Sequence, residues 1–272
     1  MVRKVSITLA VALSAISAAA ATIDKRIFGG ELAKDGEFPF IVSLQGNGHF
    51  CAGSLLDSTT VLTAAHCARD FVLSGEGSVK AGTLDRTTGG VDAEVASAQI
   101  KMHPDYALGS PSHGPYAVND IAILKLATPI KKSGTISYAT LPANGSDPVA
   151  NSIAIVAGWG NQTPNLYPDG KLHKVVIPVH EREVCSNLDP GAAGRDTIVC
   201  AGGNGKNVCK YDSGGPLIDQ ETGQVIGVAS FGIKRQCGSE TPSVYTRVGS
   251  YMTFINENLG GSGSGPSGPT VG

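Results

Sequence analysis

Three short segments of the chain carry the residue types that turn a hydroxyl group into a nucleophile. They are TAAHC at 63–67, NDIA at 119–122 and DSGGP at 212–216. A serine hydroxyl attacks a carbonyl carbon when a neighbouring base removes its proton, and a histidine does this best when a carboxylate fixes its tautomer and stabilises its cation. Ser213, His66 and Asp120 therefore predict acyl-transfer chemistry, provided that the fold brings them together.

Each of these residues also has a structural interpretation when it is considered alone. Ser213 can shape a glycine-rich turn, His66 can be a core histidine beside a cysteine, and Asp120 can cap a strand. The remaining histidines stand in no comparable sequence context, so we expect them in turns or at the surface. They are His49, His103, His113, His173 and His180. Only the ordered combination of the three segments favours catalysis.

The elements that hold these residues are expected to be β-strands. Glycine accounts for 36 of 272 residues, and a glycine-rich chain with few long helical periods favours turns and short strands. Apolar runs bounded by turn residues lie at 38–44, 54–63, 120–126, 152–157, 174–179, 224–230 and 243–248. This spacing suits antiparallel barrels, and a change of composition at 140–150 indicates the boundary between two halves.

One helix is predicted, after the last apolar run. Ser250 is a favourable N-cap, and apolar residues recur behind it at helical spacing. One face of this helix would contain Tyr251, Phe254, Ile255 and Leu259. Gly260 ends the helix, and residues 260–272, which are rich in Gly, Ser and Pro, predict a flexible tail.

The amino terminus predicts export from the cell. Two basic residues, an apolar run at 5–13 and small residues up to position 21 are typical of a signal peptide over 1–21. A membrane anchor is the competing interpretation, but the apolar run is shorter than the ~20 residues that span a bilayer. In an oxidising compartment the six cysteines predict three disulfides, although several pairings are possible. The formal net charge of −2 argues against a nucleic-acid partner.

The three segments, in this order, resemble the motifs of the chymotrypsin family of serine proteases. Further matching segments are IFGG at 27–30, SFG at 230–232 and VYTRV at 244–248, so the resemblance extends over a peptidase domain at 27–259. It implies an all-β fold of two packed six-stranded antiparallel β-barrels with a C-terminal α-helix. It also implies a secreted, monomeric endopeptidase that acts on proteins or peptides, meets protein inhibitors, and uses neither a cofactor nor a membrane.

The resemblance implies a role for each residue of the site. Ser213 would be the nucleophile, His66 the general base and then general acid, and Asp120 the buried group that orients the imidazole. The backbone N–H groups of Tyr211 and Ser213 would form the oxyanion hole.

The resemblance also implies how the cysteines pair. The expected disulfides are Cys51 with Cys67, Cys185 with Cys200, and Cys209 with Cys237. The chain lacks closely spaced cysteine pairs of the zinc-binding type, and residues 69–90 lack a convincing acidic pair for the calcium loop of some relatives. We therefore expect no metal.

The segment at 22–26 resembles an activation propeptide. Cleavage after Arg26 would free the ammonium group of Ile27, which in the family turns inward and pairs with the carboxylate before the serine, here Asp212. Such a buried pair acts as a switch more than as a source of stability. The competing interpretation is that Asp212 is a turn residue and that the basic residues at 25 and 26 are a surface charge pair.

The position that resembles the floor of the substrate pocket is Asn207. Trypsin-type members carry Asp there, so an Arg or Lys side chain would lack its buried counter-charge in this chain. Ser230 and Gly232 match the pocket walls, and Ser243 stands where glycine is common and would reduce the depth. We therefore expect a neutral preference, aromatic or aliphatic, and activation by another protease of the kexin or trypsin type.

Tyr211 departs from the family, which usually has glycine at this position. A tyrosine keeps the N–H group, but it is strained in conformations that glycine adopts freely. This departure motivates an alternative function, a protease-fold binding or inhibitor protein with weak or no catalysis. An esterase with the same triad is a lesser alternative. Two glycosylation sequons begin at Asn144 and Asn161, the second followed by Pro164.

Overall fold

The computed structural model describes residues 30–75, 77–95, 99–110, 114–161, 169–233 and 237–260. The predicted signal peptide at 1–21, the segment at 22–26, Ile27, His113, and the tail beyond Gly260 lie outside these ranges. No helix in the described ranges is long and apolar enough to cross a membrane.

Sixteen strands and three α-helices are named here in chain order. The strands are β1 (Glu31–Leu32), β2 (Ile41–Gly46), β3 (Gly48–Asp57), β4 (Thr60–Thr63), β5 (Ser78–Ala81), β6 (Val91–Glu94), β7 (Lys101–Met102), β8 (Ala107–Ser110), β9 (Gly114–Val118), β10 (Ala122–Lys125), β11 (Ile153–Gly158), β12 (His173–His180), β13 (Ile198–Ala201), β14 (Pro216–Asp219), β15 (Val225–Gly232) and β16 (Ser243–Arg247). The helices are α1 (Ala65–Ser74), α2 (Arg182–Leu188) and α3 (Met252–Glu257).

All strands except β8 and β9 belong to two antiparallel sheets, while β8 and β9 pair only with each other. The first sheet has the order β6-β5-β2-β3-β4-β10-β7, and the second has the order β1-β12-β11-β14-β15-β16-β13 with a further pairing of β12 to β13. The two sheets curl into barrel-like layers, which confirms the predicted fold class. Each sheet contains a seventh strand of only two residues, β7 or β1, which is too short to leave a periodic signal in the sequence.

Two segments connect the first half of the molecule to the second. One lies between β10 and β11, and the other is the amino-terminal segment that contains β1. No named strand lies between β10 and β11, and the predicted boundary at 140–150 falls within this interval. The strand β1 crosses the boundary: it precedes the whole first sheet, yet Leu32 pairs with His173 of the second sheet. The amino-terminal segment therefore links both halves.

The helices differ from the prediction. The sequence predicts one helix, whereas the structure has three, because α1 begins at Ala65 without a side-chain cap and α2 has only seven residues. A 3₁₀ turn at Val248–Tyr251 precedes α3, and Ser250 accepts a hydrogen bond from Arg247 instead of capping the helix. Leu259 lies beyond α3 and is exposed, while Ile255 is fully buried as expected.

The structure contains all three of the disulfides that the resemblance implies. Cys51 is joined to Cys67 within the first half, and the other two bridges lie in the second half. Their Cα–Cα distances are 6.2, 5.8 and 5.0 Å, within the usual range for disulfides. The described part of the chain has no free cysteine.

The expectation of a turn or surface position is wrong for His173. His173 is completely buried on β12, where its Nε2 atom lies 3.2 Å from a carboxylate oxygen of Asp169. The acid four residues earlier makes burial of the imidazole tolerable, but the burial itself depends on tertiary packing, which the sequence does not display.

Candidate active site

His66 and Asp120 form a bidentate hydrogen-bonded pair at the start of α1. The backbone N–H of His66 donates to Asp120 Oδ1 at 2.9 Å, and His66 Nδ1 lies 2.8 Å from Asp120 Oδ2. Because an ionised carboxylate only accepts hydrogen bonds, the proton of the neutral imidazole belongs on Nδ1. The other ring nitrogen, Nε2, is then left with a lone pair and can act as a base.

Asp120 is completely buried, and other side chains complete its environment. Ser230 donates its hydroxyl proton to Asp120 Oδ2 at 2.6 Å, and Thr246 donates to the backbone carbonyl of Asp120 at 2.9 Å. Burial alone would raise the pKa of the Asp120 carboxyl, but the His66 charge and the hydrogen bonds outweigh it and lower the pKa. Asp120 is therefore held in its ionised form.

The same interaction acts on the histidine in the opposite direction. Burial alone would lower the pKa of His66, but attraction to Asp120 and the hydrogen bond between them raise it overall. The His66 side chain is a quarter exposed, so its ring remains accessible from the cleft.

Ser213 lies in the same cleft as this pair. A cavity of about 420 Å³ is lined by His66, Asp120, Ser213, Ala229, Ser230 and Gly232, among others. No hydrogen bond among the described residues joins Ser213 to His66, and His66 Nε2 instead lies 3.5 Å from Cys67 Sγ. Catalytic hydrogen bonds are often long before substrate binds, so this arrangement is compatible with the predicted roles.

The loop that carries Ser213 is fastened to both halves of the molecule. The Ser213 carbonyl accepts a hydrogen bond of 2.8 Å from Ala52 in the first half, and Gly214 donates to Ala229 in the second. Gly214 has a φ of +78°, and a Cβ atom there would lie 2.2 Å from Thr63 Oγ1. Only glycine fits this close approach, which explains the first glycine of the DSGGP segment.

Tyr211 adopts the left-handed conformation that its position was expected to require. Its φ is +76°, which is rare for a residue with a Cβ atom. Within the described part of the chain, no acceptor is bonded to the backbone N–H of Tyr211 or to that of Ser213. Two unused backbone donors so close together suit an acceptor brought by a substrate.

His49 is a residue of this site that sequence reasoning missed. We expected it in a turn or at the surface, but it lies on β3, half-buried, with Nε2 3.0 Å from the carbonyl oxygen of Tyr211. The two residues are 162 positions apart, so the contact leaves no local signal in the sequence.

Asp212 is a buried carboxylate held by backbone donors. Gly160 N–H donates to Oδ1 at 2.8 Å, and Cys209 N–H donates to Oδ2 at 2.9 Å. Burial raises the pKa of Asp212 to about 6, in spite of these two hydrogen bonds. A Cβ atom on Gly160 would lie 2.4 Å from the carboxylate, so only glycine at position 160 leaves room for the Asp212 side chain.

The four residues expected to contact the substrate side chain fall into two groups. Asn207 and Ser243 are buried, and neither is among the residues that line the cavity, whereas Ser230 and Gly232 do line it. The Asn207 amide nitrogen donates to the carbonyls of Ser239 and Thr241 at 2.8 and 2.9 Å. Its oxygen accepts from Gly203 N–H at 3.0 Å and lies 3.3 Å from Ser243 Oγ. All polar atoms of the Asn207 side chain are therefore hydrogen-bonded within the protein, and the residue joins the loops that surround it.

An aromatic pair forms another part of the cleft. The strands β8 and β9 make a separate hairpin, and Tyr116 of β9 stacks on Phe231 of β15 with ring centroids 4.3 Å apart. The Tyr116 hydroxyl donates to the Ile233 carbonyl at 3.1 Å. The hairpin therefore ties the first half to the second beside the cavity.

One cluster of potential metal ligands occurs near the site in the described ranges. It comprises Cys51, His66 and Cys67. The two sulfur atoms are joined to each other in a disulfide, so they are not available as thiolate ligands.

Comparison with known proteins shows extensive similarity. A family model described as Trypsin matches residues 27–255. Fibrinolytic enzyme, isozyme C, of Lumbricus rubellus is 39% identical over 251 residues, which cover 85% of this chain and 99% of the relative. Chymotrypsin-C of Rattus norvegicus is 38% identical over 250 residues, covering 87% and 90%. A solved structure of mouse neuropsin, described as a serine protease, has a TM-score of 0.73 at 28% identity and covers 84% of this chain and 97% of its own.

Proposed function

Because this chain belongs to the trypsin family of serine proteases and is a serine endopeptidase, we propose that Ser213, His66 and Asp120 are its catalytic triad. The observation that carries the proposal is the bond of 2.8 Å between His66 Nδ1 and Asp120 Oδ2 in the cleft that also contains Ser213. It leaves His66 Nε2 as the base that faces the cleft.

The proposed reaction follows from these positions. His66 Nε2 takes the hydroxyl proton of Ser213 while Oγ attacks the carbonyl carbon of the scissile peptide bond. The negative oxygen that forms accepts hydrogen bonds from the N–H groups of Tyr211 and Ser213. His66 then gives the proton to the leaving amine. A water molecule next attacks the acyl group while His66 takes its proton, and His66 returns that proton to Ser213 Oγ as the ester bond breaks and the acid product leaves.

We propose that substrates present an uncharged side chain to the pocket beside Ser213. Asn207 supports this proposal because it brings no negative charge and its amide is fully engaged with the surrounding loops. A buried Arg or Lys side chain would find no ionic partner at position 207, so aromatic or aliphatic residues are favoured.

We further propose that the chain is secreted through the signal peptide at 1–21 and activated by another protease after Arg26. The carboxylate of Asp212 supports activation by the new terminus of Ile27, because it is buried and its pKa is raised to about 6. A buried acid in this state gains a favourable partner when a cation arrives. The mature enzyme is proposed to be a monomer without a metal.

The test uses mature protein that begins at Ile27, with Ser213→Ala as its matched control. A fluorophosphonate probe should label the mature protein once, at Ser213, and should not label the control. Digestion of a complex peptide mixture should show cleavage after aromatic or aliphatic residues. A folded protein that resists both the probe and the peptide assay would instead support the binding-protein alternative, and dominant cleavage after Arg or Lys would overturn the neutral preference.

A further inference from the structure

The strained backbone of Tyr211 is hydrogen-bonded to His49, which is the first of three side chains linked in series by hydrogen bonds. The proposed reaction does not use any of these three side chains. The carbonyl oxygen of Tyr211 lies 3.0 Å from Nε2 of His49, and Nδ1 of the same ring lies 2.7 Å from Ser43 Oγ. The side-chain amide of Gln45 then donates to Ser43 Oγ at 2.7 Å.

The chemistry of the partners determines which group donates in each of these three hydrogen bonds. A carbonyl oxygen only accepts, so His49 carries its proton on Nε2 and its Nδ1 has a free lone pair. The Ser43 hydroxyl donates to that lone pair and accepts from Gln45. Burial and the charge of Arg86 lower the pKa of His49 to about 3, so the ring stays neutral in this arrangement at ordinary pH.

His49, Ser43 and Gln45 all lie on the paired strands β2 and β3, which hold them in place. Ser43 is completely buried on β2, and Gln45 pairs with His49 in the register of β2 and β3. The His49 ring also lies edge-on to the Trp159 ring, with centroids 6.0 Å apart. His49 is therefore fixed by its own hairpin and can hold a loop that approaches from the second half.

The loop that His49 contacts contains Tyr211, whose side chain conflicts with its backbone conformation. Tyr211 has a φ of +76°, and the left-handed region brings the Cβ atom of an ordinary residue too close to its carbonyl oxygen. A rotation of Tyr211 to a negative φ would relieve this conflict and would turn its N–H group away from the cleft. The bond from His49 opposes that rotation, and the Tyr211 ring lies against the His49 ring with centroids 6.3 Å apart.

We propose that His49 is a positioning residue, which holds the Tyr211 backbone in the left-handed conformation and so keeps the Tyr211 N–H directed at the oxyanion. The inference rests on the oxyanion role that we propose for this N–H. It goes beyond that role because it makes the activity of a chain with tyrosine at position 211 depend on a histidine that touches neither substrate nor reacting atom.

The test is a double-substitution experiment on mature protein. His49→Phe retains an aromatic ring but removes the donor, and it should lower kcat by about 10- to 100-fold with KM within about 2-fold, a loss approaching that of one oxyanion donor. In the Tyr211→Gly background the same substitution should change kcat by less than about 3-fold, because glycine adopts a positive φ without strain. His49→Gln, which keeps a donor amide, should retain most of the kcat.

A second measurement is independent of turnover. Hydrogen–deuterium exchange of the peptide at 209–215 should accelerate at least about 10-fold in His49→Phe, and it should change little when Tyr211→Gly is also present. Equal losses in both backgrounds, or no loss in either, would overturn the positioning role.

Failure of the two proposals can be told apart. If the unsubstituted protein neither turns over substrate nor takes up the probe, the catalytic proposal fails, and the exchange data alone decide the role of His49. If the unsubstituted protein is active and His49→Phe matches it, the catalytic proposal stands and the inference about His49 fails.

Discussion

The proposed acid–base pair and the loop that carries the proposed nucleophile are stabilised in different ways. Asp120 and His66 lie beside regular elements, and every polar atom of the Asp120 carboxylate has a hydrogen-bond donor. The loop at 207–215 has a left-handed tyrosine and a buried acid whose pKa is raised. The first region is complete without any further partner, whereas the second stores strain and charge that a new contact can relieve. Under the activation that we propose, cleavage after Arg26 would therefore act on the second region, while the first region is already assembled.

The largest expected effect comes from breaking the acid–base pair. Asp120→Asn should lower kcat by about 10⁴-fold, a magnitude taken from the general behaviour of serine protease triads, because an amide favours the wrong imidazole tautomer. Steady-state kinetics on a peptide substrate would measure it. Ser230→Ala, which removes only one donor to the carboxylate, is the matched control and should lose far less activity. Similar losses in the two variants would contradict the larger role that we assign to Asp120.

The same substitution changes the pH profile. The proposed mechanism requires neutral His66, so kcat should fall as the pH drops through the pKa of this histidine, which Asp120 raises. Without the Asp120 charge the pKa of His66 should fall, and the acid limb of the residual activity should move to lower pH. An unshifted acid limb in Asp120→Asn would mean that another group controls it.

The second region predicts opposite pH dependences before and after activation. In the proposed precursor, burial raises the pKa of Asp212 from its ordinary value of 3.8 to about 6, so the folded state holds an extra proton between these values. Stability should therefore fall by about 3 kcal/mol as the pH rises through this window. In the mature form an ammonium partner would lower this pKa and reverse the slope. Urea unfolding of the two forms, both carrying Ser213→Ala, would measure the difference, and parallel curves would contradict it.

A smaller effect is expected where the loop is held by neutral hydrogen bonds. Asn207→Asp replaces an amide that donates to the Ser239 and Thr241 carbonyls with an acceptor, and it should reduce the free energy of unfolding by about 2 kcal/mol. It should not by itself create a strong Arg or Lys preference. The matched control is Asn204→Asp, an exposed residue of the same loop. A stable Asn207→Asp variant with trypsin-type cleavage would refute this account of the pocket.

The smallest effect separates the two sequons. Asn144 is exposed in a turn closed by a hydrogen bond of 3.0 Å from Ser146 N–H to the Ala143 carbonyl. Asn161 is only 8% exposed, and its backbone N–H donates to the carbonyl of Lys210 beside the nucleophile loop. Protein secreted from a eukaryotic host should carry one glycan, lost in Asn144→Gln and retained in Asn161→Gln, with stability changed by less than about 0.5 kcal/mol. Intact mass measurement would decide, and a glycan that survives Asn144→Gln would contradict the assignment.

The sequence was most informative where function is local. The three segments around His66, Asp120 and Ser213 are short and ordered, and the fold class follows from strand spacing and family resemblance. The left-handed conformation at Tyr211 was also predictable, because glycine is usual at that position.

The contacts around the site that sequence reasoning missed join distant parts of the chain. His49 reaches Tyr211 across 162 positions, and Asn207 reaches Thr241 across 34. The burial of His173 and the short helices α1 and α2 also depend on tertiary packing. Residue type and spacing indicate which groups can react, but they do not show which polar atoms the fold has already used.

The strand β1 bears on how quickly a cleaved chain could find its internal partner. Leu32 pairs with His173, which pairs with Gly158, and a Cβ atom on Gly158 would lie 2.2 Å from Asp212 Oδ1. Two strand spacings of ~4.8 Å separate Leu32 from Gly158. Five residues of extended chain reach about 17 Å, so a terminus created at Ile27 would be tethered within range of the carboxylate. The search would be intramolecular, at a high effective concentration, and independent of how dilute the protein is.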